Sequence, residues 1–180
     1  MKHLLLVGII VAFVAIWLIV WRLRSDAATT ISLNAAKHPA AFLTVATGVS
    51  TALFCASLYY TNWLLPEYNL TIFSTTLFFG IIISLVLAVW IPDVAGPRRK
   101  THRGAAYVAV FIIPLFLLSL LAVPTLPKLM TIVIIGAVVA HLFMLYLLFF
   151  APKMRRWFLL FQGLYLAVFF AVLLLLTYGV

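Results

Sequence analysis

The chain has 180 residues, 67% hydrophobic and 8% charged, with a formal net charge of +9. Soluble domains are about 45–50% apolar and about 25% charged, so this composition excludes a water-soluble fold and makes lipid the solvent. At about 20 residues per helical span, the length holds six spans and no extramembrane domain; the cation excess, which in a soluble protein would suggest nucleic acid, sits between apolar runs and reads as topology.

The first run, "MKHLLLVGIIVAFVAIWLIVWRLR", predicts a span near 4–21. Its apolar core from Leu4 to Trp21 is too long for a signal peptide, no small-x-small cleavage site closes it, and Arg22 and Arg24 follow directly. It is expected to be retained. Further spans are expected near 41–63, 70–91, 105–124, 129–150 and 157–178. Each run is apolar on every face, unlike the alternating strands of a membrane barrel. The expected fold class is therefore all-α: a polytopic, six-transmembrane-helix bundle forming one domain over 1–180. Pro66, Pro92 with Pro97, Pro124 with Pro127, and Pro152 supply breaks. Pro114 lies inside the fourth span, where it removes a backbone donor and is expected to kink the helix. The single cysteine, Cys55, lies within the second span and makes no intrachain disulfide.

The cations fall unevenly. Loop one holds Arg22, Arg24 and Lys37; loop three holds Arg98, Arg99, Lys100 and Arg103; loop five holds Lys153, Arg155 and Arg156. Only Lys2 and Lys128 fall on the other side. Lys/Arg excess marks the cytoplasmic face, so both termini are expected outside a plasma (inner) membrane. Trp17, Trp21, Trp90 and Trp157 then line the inner interface, and Trp63, Tyr68 and Tyr178 the outer one.

Small residues recur every fourth position. The ladders are Gly8 and Ala12; Thr44, Gly48, Ala52 and Ala56; Thr76, Gly80, Ser84 and Ala88; Gly136 and Ala140; and Gly163, Ala167 and Ala171. That spacing places each set on one face, where backbones approach closely. The two longest ladders suggest that spans two and three form a tight antiparallel hairpin.

His141, central in "GAVVAHLFMLY", is the most costly residue to immerse and a functional candidate by its depth. A proton relay, a haem or metal ligand, a substrate contact, or a neutral histidine bonded to a neighbouring helix would each account for it. No acidic residue lies in a span core, which weakens an ion-coupled transporter. Bis-histidine haem ligation needs two histidines at one depth. His38 and His102 lie at inner ends, His3 at the outer end and His141 in the centre, so no such pair exists. No cofactor is expected. His38, His102 and Asp93 could meet at the inner surface as a two-histidine, one-carboxylate site. The polar groups of spans two and three also suggest a polar cavity in the outer half.

The one densely ionic stretch is "IPDVAGPRRKTHRGAAY", residues 91–107. Arginines alone would orient this loop; Asp93 and His102 are not needed for that. Candidate ligand-binding residues are therefore His141, His102, Asp93, Arg98, Arg99, Lys100 and Arg103.

The order "IPD", then "THRGAAYVAVFIIP", then a closing "APKMRRWFLLFQGLYLAVFFAVLLLL" resembles an uncharacterised prokaryotic family of six-span proteins, a domain of unknown function allied to the FRAG/DRAM/Sfk-type membrane proteins. The matching positions are Pro92, Asp93, His102, Gly104, Ala105, Ala106, Arg155 and Trp157. Arg155 and Arg156 stand where that family carries Glu beside Arg. The resemblance implies a six-helix fold and no established activity. The expected function is binding of a lipid or small apolar ligand within or beside the bundle, with anionic headgroups at the basic loops. The alternatives are an accessory subunit of a larger membrane complex, with a homo-oligomer or membrane protein as partner, and a membrane enzyme or haem protein using His102, Asp93 or His141. No nucleic acid partner is expected.

Overall fold

The computed structural model describes residues 2–22, 38–93, 96–151, 153 and 157–178, without the side chains of 18–22 and 158. Arg24, Lys37, Pro152, Arg155 and Arg156, and the side chains of Trp21 and Arg22, lie outside the described residues. The described residues form six long helices and no strand. These are α1 (His3–Arg22), α2 (Pro39–Tyr59), α3 (Ile72–Trp90), α4 (Pro97–Leu120), α5 (Lys128–Phe150) and α6 (Phe158–Tyr178). The helices from Pro39 onward include five long and apolar enough to cross a membrane, and α1 is apolar over His3–Trp17. Sequence neighbours pack side by side, and α6 returns to α1.

The start of α1 and the end of α6 lie at one end of the bundle. The His3 ring nitrogen Nδ1 is 2.9 Å from the Tyr178 hydroxyl, and that hydroxyl donates to the Lys2 carbonyl at 3.3 Å. The Lys2 ammonium stands 5.9 Å from the Trp63 ring centre, and Trp63 meets Tyr68 edge-on. Trp63, Tyr68 and Tyr178, which the sequence assigns to one interface, thus gather at one end of the bundle.

Two boundaries differ from the hydropathy reading. Pro66 does not end the second span. The helix passes into a π-helical turn over Tyr60–Leu64, where the Leu65 N–H reaches the Tyr60 carbonyl, and then a short α-turn over Leu65–Tyr68. The wider turn admits the proline ring without a break. Asn69, left-handed at φ 47°, ends the rod. The second difference is α4, which begins at Pro97, eight residues before the expected span. Hydropathy measures immersion, not helicity: Pro97 suits a first turn, and Arg and Lys are good helix formers. The cations of loop three therefore ride on a helix.

Small residues set the closest approaches, but not between the expected partners. The tightest pairs are α1 with α2 and α3 with α4, while α2 and α3 are further apart. A Cβ on Gly48 would lie 2.6 Å from the Ala15 Cβ, and one on Gly8 2.9 Å from the Cys55 Cβ. On α3, a Cβ on Gly80 would meet Ile112 of α4 at 3.3 Å. Four-residue spacing reveals a close-packing face without naming the neighbour it serves. The ladders of α5 and α6 face outward instead: Gly136, Gly163, Ala167 and Ala171 are exposed, and a Cβ on either glycine would meet nothing within 4 Å. Gly48→Ala is accordingly expected to lose about 1–3 kcal/mol by overpacking the α1–α2 contact. Gly163→Ala should cost nothing, as read by thermal unfolding in detergent micelles.

The core concentrates toward the end that holds the termini. Tyr60 stacks on Phe78 with ring centres 4.1 Å apart, and Phe79, Phe116 and Phe169 complete the cluster. These rings, from α2, α3, α4 and α6, fill the space beside α2 and α3 where the sequence suggests a polar cavity. The hydroxyls there are spent between helices: Tyr60 with Thr75 at 2.9 Å, and Tyr59 with Thr177 at 2.7 Å. In lipid such contacts hold helices together by packing and hydrogen bonding, since burial from hydrocarbon gives no hydrophobic gain.

Candidate functional site

The basic stretch folds back on itself as a clasp. Gly96 takes φ +105°, a conformation open to glycine, and turns the chain into α4. Asp93, at the end of α3, is 4% exposed. Its Oδ1 lies 3.3 Å from Nε of Arg99 and 3.8 Å from Nε of Arg103. Positions 99 and 103 are four apart, so consecutive turns of α4 present both guanidinium groups to one carboxylate. His102, also buried, donates Nδ1–H to the Ile91 carbonyl at 2.8 Å, because a carbonyl can only accept. That bond closes the end of α3 onto the second turn of α4.

The electrostatics of this corner are lopsided. Helix N-termini favour anions and disfavour cations. Here Arg98, Arg99, Lys100 and Arg103 occupy the first two turns of α4, and Asp93 is the nearby acid. Beside the clasp, Gly96, Pro97, Arg99, Lys100 and Arg103 line an open pocket of about 450 Å³. Arg99 and Arg103 approach Asp93 through Nε, and both also line the pocket. Arg98 is exposed and does not line it.

His141 belongs to a separate arrangement at mid-depth. It is fully buried; Nδ1 stands 2.7 Å from the Ala137 carbonyl and Nε2 3.1 Å from the Tyr165 carbonyl of α6. The two rings meet edge-on at 4.3 Å. The Tyr165 hydroxyl donates to the Val110 carbonyl of α4. Val110 is the residue whose carbonyl Pro114, four positions later, cannot serve, since proline has no N–H. Tyr165 therefore supplies the donor that Pro114 withholds, and His141 ties Tyr165 to α5. Both ring nitrogens of His141 address backbone carbonyls, and a neutral imidazole can donate to one of them at a time. This is the arrangement of a histidine that joins helices, one of the readings its sequence position leaves open. The sequence shows Pro114 and Tyr165 separately; a mid-span proline is the signal that some neighbouring helix must bring a donor.

The structure thus gathers Asp93, Arg99, Lys100, His102 and Arg103 at one corner and leaves His141 apart. It does not join His38 to Asp93 and His102: among the described residues no group of three His, Cys, Asp or Glu side chains could hold a metal ion. The fold and its basic corner define a polytopic helical membrane protein. No family model matches the chain, and no similar curated protein or solved structure was found.

Proposed function

We propose that this chain is a non-catalytic plasma-membrane protein that binds anionic phospholipid beside its bundle, at the inner-face pocket of Arg99, Lys100 and Arg103. The observation that carries this reading is the pocket itself, formed by three cations at a helix N-terminus with two of them fixed by Asp93. The clasp restrains Arg99 and Arg103 before any ligand arrives, which lowers the ordering cost of binding. The charge asymmetry of the loops supports a cytoplasmic position for this corner, where anionic lipid is met. Kinship with the FRAG/DRAM/Sfk-type six-span proteins is part of the proposal, supported by Asp93 and His102, two matching positions that form the clasp.

Lys100 tests the reading without breaking the clasp, since it lines the pocket and is exposed. Thermal unfolding in phosphatidylcholine vesicles is compared with vesicles that also contain phosphatidylglycerol. The wild-type midpoint should rise with the anionic lipid, and the rise should shrink with added salt. Lys100→Gln should remove about 1 kcal/mol of that gain. Equal midpoints for the wild type in both vesicles would refute the proposal.

A further inference from the structure

Further along α4 from the pocket-lining cations stands a wall of aromatic rings. On α4, positions 100, 103, 107 and 111 succeed one another at spacings of three and four, so Lys100, Arg103, Tyr107 and Phe111 share one helix face. Tyr107 and Phe111 are about half exposed. Phe149, near the end of α5, closes beside them, its ring centre 6.1 Å from that of Tyr107 and 6.2 Å from that of Phe111. Phe111 and Phe149 lie within 14° of parallel. Among these residues sits Gly104, exposed, where an added Cβ would meet nothing within 4 Å. It leaves a notch between the cations above and the rings below.

We propose that the pocket and wall form one two-part site for a single anionic phospholipid. Its phosphodiester lies against the side chains of Arg99, Lys100 and Arg103, which line the pocket. Its glycerol backbone passes the Gly104 notch, and one acyl chain runs along Tyr107, Phe111 and Phe149. The depths agree. Arg103 to Phe111 is eight residues, about 12 Å of helix. The headgroup layer of one leaflet is about 5–8 Å thick. Rings at Phe111 therefore stand inside the hydrocarbon when Arg103 is level with the phosphates. Charge complementarity selects the head and the continuous apolar wall selects the tail, which favours a lipid over a soluble phosphate compound.

This inference rests on the lipid-binding reading above, and the two fail differently. Binding of phosphatidylglycerol to the detergent-purified protein is followed by native mass spectrometry, with glycerol 3-phosphate as the chainless probe. Phe149→Ala and Gly104→Leu should each weaken phosphatidylglycerol binding by about tenfold. Lys100→Gln should weaken it by about fivefold. Gly104→Leu fills open space and improves helix propensity, so it should fold at least as well as the parent. Thermal unfolding of every variant confirms this. If only Lys100→Gln weakens binding, the acyl wall is wrong and the headgroup reading stands. If no variant does, both fall. If glycerol 3-phosphate binds as tightly as phosphatidylglycerol, the ligand is a soluble phosphate and the two-part site is overturned.

Discussion

Asp93→Asn is expected to lower stability by about 1–3 kcal/mol and, at the same time, to strengthen the response to anionic lipid. The two effects share a cause. Breaking a buried ion pair typically costs about 3–5 kcal/mol, but Arg99 and Arg103 are about half exposed, and solvent takes up part of the loss. What remains is repulsion between two guanidinium groups that converge on one point at a cationic helix N-terminus. Added salt should therefore restore some of the lost stability in thermal unfolding, which a merely mispacked variant would not show. With the internal carboxylate gone, an external anion meets one more uncompensated positive charge. The phosphatidylglycerol-induced rise in midpoint should exceed that of the wild type, because the uncovered charge outweighs the loss of the restraint that Asp93 places on the arginines. A smaller rise would mean that this restraint matters more to binding than the negative charge Asp93 places beside the site.

The second large effect is expected at mid-membrane. Tyr165→Phe removes the hydroxyl that serves the Val110 carbonyl. Hydrogen bonds between membrane helices average only about 0.6 kcal/mol, because unpaired groups usually find another partner. Val110 has no such reserve, since Pro114 denies it the helical one. The cost should approach the about 1–3 kcal/mol of a buried unsatisfied group. Pro114→Ala supplies the missing N–H, so in that background Tyr165→Phe should cost no more than a few tenths of a kcal/mol. A double-mutant cycle by chemical denaturation in micelles measures the coupling. Equal costs in both backgrounds would show that Tyr165 acts through packing alone.

Hydropathy made six helices legible because lipid immersion demands unbroken apolar runs. It misjudged α4 because charged turns leave the bilayer without ceasing to be helical. The clasp was half legible. Asp93 and His102 stood out as residues that orientation does not require, but their partners, the Ile91 carbonyl and Nε of two arginines, depend on how α4 turns at Gly96. His141 was legible as a residue too costly to immerse without a partner. Its association with Tyr165 was not, because no local pattern says that α5 and α6 meet there with Val110 of α4 nearby. The wall of Tyr107, Phe111 and Phe149 escaped for a related reason: exposed rings in a membrane helix carry no signal until a second helix aligns with them.

The basic stretch is helical. A flexible loop would let its cations follow the headgroups without effect on the bundle. Held on α4, they move as one body with a rod whose other landmark is Pro114, sixteen residues or about 24 Å from Arg98. Such a rod is a lever. Its charged arm is the first two turns of α4, its weak point is the helical hydrogen bond that Pro114 cannot give Val110, and Tyr165 is the pin that holds that joint.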